Sequence, residues 1–100
     1  AGDVIDNAAR RRFELDLGAA GVAFIDYRYR GGGRDAPATV CMLTHAEVPE
    51  AVRGGGVGAR LTAGALELLR ARGHRAVPSC PYVASFIRRH PRYADLIAPD

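Results

Sequence analysis

The sequence has no lysine: all fourteen basic residues are arginine. That absence excludes the nucleotide-binding P-loop, whose glycine-rich turn ends in G-K-[ST]. Cysteine is scarce as well. Cys41 and Cys80 form no C-x-x-C pair, and neither has metal-ligand spacing with the three histidines. No apolar run reaches membrane-spanning length, and no secretory signal is visible. Together these absences predict a reduced, soluble, cytoplasmic protein with no membrane partner and no bound metal. The chain begins at Ala1 rather than Met, so a few residues are expected to precede it. Low-complexity blocks and internal repeats are also missing.

What is present is globular. One hundred residues, 48% hydrophobic and 25% charged, predict a single domain spanning 1–100. Such a domain buries a core but keeps a modest stability margin. A net charge of +3 suits an anionic small ligand. Nucleic acid is not expected, although Arg10-Arg11-Arg12 and the arginines of 27–34 are where a phosphate backbone would bind.

Alternation of apolar and polar residues marks the first half of the chain. Residues 4–7 suit a short edge strand. Residues 10–17 set Phe13, Leu15 and Leu17 against Arg12, Glu14 and Asp16. After a turn at 18–21, residues 22–30 set Ala23, Ile25, Tyr27 and Tyr29 against Phe24, Asp26, Arg28 and Arg30. Residues 31–35 read as a flexible loop. Residues 38–48 are apolar on both faces near their middle, as in a central strand, and Pro49 ends them. The period then changes. Val57, Leu61, Ala65 and Leu68 recur at helical spacing, with Leu69 beside them. Gly64 within that helix costs about 1 kcal/mol relative to alanine, which close helix–sheet packing would explain. Gly73 stands where a C-cap belongs. Residues 74–79 form a short strand, parallel to the central one because a helix joins them. Pro81 opens a further helix with Val83, Phe86 and Ile87 on its apolar side. Pro91 breaks it, and residues 93–97 make a last helical turn. The predicted fold is α+β: three or four antiparallel strands, a β-α-β crossover and a C-terminal helix.

Where the crossover begins, Gly54, Gly55, Gly56 and Gly58 fill four of five positions. A strand entering a glycine turn and then a helix start builds an anion site. The first helical N–H groups lack intrahelical partners, the helix dipole adds positive charge, and glycine admits a ligand close to the backbone. The dinucleotide fingerprint G-x-G-x-x-G/A matches at Gly54, Gly56 and Ala59. It also needs an acidic residue about 20 positions on to hold a ribose. The corresponding stretch, 75–79, reads R-A-V-P-S and has none. The antiparallel pattern of the preceding strands also disagrees with a doubly wound sheet.

The run R-G-G-G-V-G at 53–58, preceded by V-P at 48–49, resembles the acyl-CoA loop [QR]-x-x-G-x-[GA] of the GNAT acyltransferases. The resemblance extends through H-A-E-V-P-E-A-V-R-G-G-G-V-G at 45–58, V-P-S-C-P-Y-V at 77–83 and F-I-R-R-H-P-R-Y-A-D-L-I at 86–97. It points to the minimal, single-domain GNAT branch, departing at Ala46, where threonine is commoner. It covers 41–97 closely and the earlier strands by pattern. What it implies is acetyl-CoA across the splay between the central strand and the strand after the helix. The N–H groups of Arg53, Gly54, Gly55, Gly56, Val57, Gly58 and Ala59 would meet the phosphates. Arg53 and Arg60 would add charge-assisted contacts, or be ordinary solvated arginines. Pantetheine would pair with main-chain groups around Glu47 and Val48, in the manner of strand addition.

Cys80 follows a strand end and precedes a Pro-started helix, beside the expected thioester. Three readings stand: a nucleophile that takes the acetyl group, a side chain lining the site, or a small core residue. Cys41, in mid-strand, reads as core. Direct attack by an amine needs a base. His45 and Glu47, at i and i+2 on one face of the central strand, are the candidates; each could instead be an ordinary polar residue of a strand end. Tyr82 is the expected proton donor to the departing thiolate, or a cover over the pantetheine. Val83 and Phe86 would wall the same slot. His74 is expected to be exposed, and His90 shows no partner. The predicted function is transfer of an acetyl group from acetyl-CoA to an unidentified amine, small or macromolecular. The alternative is a CoA-binding module without catalysis. With no helix before residue 38, the acceptor side is expected to be open. A chain without lysine offers no lysine of its own for acetylation.

Overall fold

The computed structural model describes residues 3–31 and 39–98. Most of the expected loop at 31–35 and the first residue of the 38–48 strand lie outside the described residues. Five strands form one sheet in chain order: β1 (Ile5–Asn7), β2 (Arg12–Asp16), β3 (Val22–Arg30), β4 (Val40–Glu47) and β5 (Arg75–Pro78). β1 to β4 are antiparallel. β5 runs parallel to β4 and follows helix α1 (Val57–Arg72). Helix α2 (Pro81–Arg89) and a 3₁₀ turn (Pro91–Leu96) come last. This is the α+β architecture that the patterning predicts.

Alternation sorts the strand residues by face. Phe13, Leu15, Ala23, Ile25, Tyr27, Cys41 and Leu43 share one buried cluster with residues of both helices. The residues between them, including Arg12, Glu14, Phe24, Asp26 and Arg28, are half-buried or exposed. Along α1, Val57, Leu61, Ala65 and Leu69 are buried, and so are Thr62 and Leu66. Sequence spacing identifies the first row but takes Leu68 where Leu66 is fully buried. The buried stripe is two rows wide because α1 touches α2 as well as the strands. Burying a leucine fully contributes about 1.5–3 kcal/mol. Thr62 can join the core because its hydroxyl donates to the Gly58 carbonyl at 2.8 Å. Gly64 does mark close packing, but against Val4 rather than a sheet residue. A Cβ on Gly64 would stand 2.4 Å from a Val4 methyl carbon.

A polar network fastens the far end of the sheet. The Tyr27 hydroxyl donates to Asp6 at 2.6 Å, and Arg72 at the end of α1 pairs with Asp6 at 2.9 Å. Arg72 also donates to the Tyr29 hydroxyl at 3.1 Å, which lies 3.4 Å from His74 Nδ1. His74, expected at the surface, is therefore buried, with Tyr29 edge-on to its ring. Burial raises the Tyr27 pKa, and the Asp6 hydrogen bond adds to the effect. Cys41 is core, as expected. Burial, then the Asp6 charge, pushes its thiol up to about 12, so it stays protonated. His90 has a partner too. Its Nδ1 lies 2.8 Å from the Phe86 carbonyl, and its ring stacks on Phe86.

β2 begins at Arg12 rather than residue 10, because residues 8–11 turn. The Arg10 and Arg11 N–H groups donate to Asn7 and Ala8 carbonyls. Arg11 closes this turn at φ 54°, in the left-handed region. That conformation costs a residue with a Cβ roughly 1–2 kcal/mol. Arg11→Gly removes the strain and adds some unfolded-chain entropy. Its thermal unfolding should give a stability between unchanged and about 1 kcal/mol higher. A loss of more than that amount would mean the arginine side chain holds the turn.

Candidate functional site

Between β4 and β5 the sheet opens. Their pairing ends where Leu43 stands opposite Pro78. One further link, from the Cys80 N–H to the Leu43 carbonyl at 2.8 Å, closes the contact. Beyond it, the β5-facing edge of β4 has no strand neighbour among the described residues.

A β-bulge sits at the same point. Tyr27 stands opposite Leu43, and Asp26 opposite His45, so Thr44 is an extra residue on β4. Its hydroxyl donates to the Asp26 carbonyl at 3.3 Å. The bulge reverses the alternation. Cys41 and Leu43 join the core, whereas His45 and Glu47 rise on the opposite face beside Asp26 and Phe24. Were Thr44 paired with Asp26 rather than bulged, the odd-numbered positions would continue inward. His45 Nε2 and Glu47 Oε2 lie 2.9 Å apart, and both side chains are exposed.

Past Pro49, a short 3₁₀ turn (Glu50–Val52) leads into the glycines. Arg53 folds back, its Nε donating to the Val48 carbonyl at 3.2 Å. Gly54 and Gly56 take φ values of 85° and 84°, which a Cβ disfavours. Gly56 precedes the first turn of α1. No side chain caps that helix end, and no acidic residue occupies the first turn. The N–H groups of Val57, Gly58 and Ala59 have no intrahelical acceptor. At Gly58 space, not angle, favours glycine: a Cβ would stand 2.3 Å from the Tyr82 hydroxyl, so the Tyr82 ring would have to shift. Tyr82, from the start of α2, thus lies over the start of α1. Neither constraint applies at Gly55, where a Cβ would meet the Val52 carbonyl at 3.4 Å.

These elements enclose a slot of about 650 Å³, a size suited to a small ligand. His45, Glu47, Val48, Arg53, Gly54, Gly56, Gly58, Ala59 and Tyr82 line it, all singled out by the sequence. Ala46 and Leu61 line it too, and sequence reasoning missed both. Leu61 was legible only as a core position of the helix. Ala46 turns inward only because of the bulge. Gly55 and Arg60 are exposed and do not line the slot. Val57, Val83 and Phe86 belong to the buried cluster. Cys80, the residue before α2, is also in that cluster, 6% exposed and outside the slot lining.

The slot therefore offers two chemistries. One wall is an uncapped helix start that attracts an anion. Another holds a carboxylate paired with an imidazole, which can accept a proton. Among the described residues no group of three or more His, Cys, Asp or Glu side chains is placed to hold a metal. No described helix is long and apolar enough to cross a membrane. A family model described as GCN5-related N-acetyl-transferase matches residues 12–96. Comparison with curated proteins gives no match.

Proposed function

The chain belongs to the GCN5-related N-acetyltransferase family, and on that footing we propose that it transfers an acetyl group from acetyl-CoA to an amine. One observation carries this reading: the uncapped start of α1 shares a slot with the His45–Glu47 pair. The CoA pyrophosphate supplies the negative charge that this helix start lacks. Its contacts are the N–H groups of the glycine turn and Val57, Gly58 and Ala59, with Arg53 beside them. Pantetheine runs along the unpaired edge of β4 near Glu47 and Val48. This ordering brings the thioester toward the point where β4 and β5 part.

The acceptor amine reacts only when neutral. Glu47, held by His45, takes its proton directly or through one water. The nitrogen bonds to the thioester carbonyl carbon, the carbon–sulfur bond breaks, the CoA thiolate leaves, and the nitrogen's remaining extra proton restores the phenol that protonates this thiolate. The Tyr82 hydroxyl is the proton source for that thiolate. Cys80 is buried and outside the slot lining, which favours packing beside the thioester over a covalent acetyl-cysteine.

The test is acceptor-dependent release of CoA thiol across a panel of small and peptide amines, with acetyl-CoA binding followed by calorimetry. Turnover is the expected result. Tight binding without turnover would make the chain a CoA-binding module. No binding at all would remove both readings.

A further inference from the structure

We infer that the open face of the sheet is the acceptor-docking surface and that it selects a peptide or protein amine with a nearby acidic side chain. The inference rests on the acetyl transfer proposed above. A second hollow, of about 460 Å³, is lined by Ala8, Arg11, Tyr27, Arg28, Tyr29 and Met42. Register puts its Arg28 and Met42 on the face that carries His45 and Glu47, while Tyr27 and Tyr29 alternate with Arg28 and belong to the core side. Arg28 stands opposite Met42; two residues along β3, Asp26 stands opposite His45; two further on, Phe24 stands opposite Glu47. At roughly 3.3 Å per strand residue, the hollow lies about 7–13 Å from the His45–Glu47 pair. An extended peptide crosses that distance in about two to four residues.

Charge selects the occupant. Several arginines elsewhere are engaged: Arg12 with Glu14, Arg70 with Asp95, Arg72 with Asp6. Among the described residues no carboxylate pairs with Arg11 or Arg28. Arg10 and Arg30 flank them and are exposed. The turn also holds Arg11 in the left-handed region, where glycine would sit without strain. Two free guanidinium groups beside the Met42 side chain fit one carboxylate, which a planar fork can bind through both oxygens. Nucleic acid fits less well. The same face carries Glu14, Asp16, Asp26 and Glu47, which a phosphate backbone tracking along it would cross. A single acidic side chain need only reach the hollow.

The test uses two peptides, each with one lysine, differing only in Glu or Gln three residues from it. The readouts are CoA release and peptide binding by fluorescence anisotropy. The Glu peptide should show a kcat/KM about tenfold higher, mainly through KM, and the preference should weaken as salt rises. In the double variant Arg11→Gly, Arg28→Gln the preference should fall to about one, with acetyl-CoA binding retained by calorimetry. Equal kcat/KM for the two peptides would overturn the inference. So would a preference that survives in the double variant, or displacement of the Glu peptide by lower concentrations of a single-stranded RNA oligonucleotide than of the unlabelled peptide. If neither peptide is turned over, anisotropy still decides. A Glu peptide that binds the wild type but not the double variant upholds the docking surface while the transfer reading fails. Equal binding of both peptides removes the docking surface.

Discussion

Ala59→Asp is expected to weaken acetyl-CoA binding about a hundredfold, roughly 2.7 kcal/mol, while leaving the fold as stable as before or more so. Ala59 is the third residue of α1 and lines the slot. An aspartate there faces N–H groups that have no intrahelical acceptor. On the helix dipole alone it contributes about 0.3–1 kcal/mol of stability. The same carboxylate repels a bound pyrophosphate. Two unit charges about 5 Å apart near a protein surface repel by roughly 3 kcal/mol, and salt reduces this. Stability and binding should therefore move in opposite directions, which a merely disruptive substitution would not produce. Calorimetry with acetyl-CoA and thermal unfolding read the two effects separately. Unchanged affinity would mean that the phosphates bind elsewhere.

Glu47→Gln should lower kcat by about 10²- to 10⁴-fold, the usual range for loss of a general base. The acetyl-CoA Kd should change little, because the amide keeps the shape of the side chain and Glu47 is not among the groups assigned to the phosphates. Cys80→Ser should keep most of the wild-type kcat. A Glu47→Gln enzyme within a factor of about three of wild type, or a Cys80→Ser enzyme without activity, would move the chemistry from the carboxylate to the thiol.

Much of the architecture was legible because it rests on local periodicity. Phe13 and Leu15, then Ala23, Ile25 and Tyr27, announced the buried face by simple alternation. The glycine turn announced a helix start that no side chain caps. What escaped depends on contacts between distant elements. Nothing near His74 in sequence signals Tyr29, which shields it, or the Asp6 and Arg72 network behind. Leu66 was missed because its burial depends on α1 touching α2 as well as the sheet. The bulge at Thr44 is the instructive case. His45 and Glu47 do share a face, as i and i+2 positions should, but not the face of Leu43, two residues earlier. One unpaired residue turns them from the core to the open side. The Arg11–Arg28 hollow was hidden likewise: as text, its arginines are two charge-rich stretches, and only the β2–β3 register makes them neighbours.

The central claim is that the start of α1 holds the phosphates of acetyl-CoA, and its backbone N–H groups can report on this themselves. In a titration of ¹⁵N-labelled protein with acetyl-CoA, the largest amide shifts should fall on Val57, Gly58 and Ala59 and the preceding glycines. They should saturate at one equivalent. A titration that leaves those amides unmoved, or moves only residues of the β1–β2 turn, would contradict the claim.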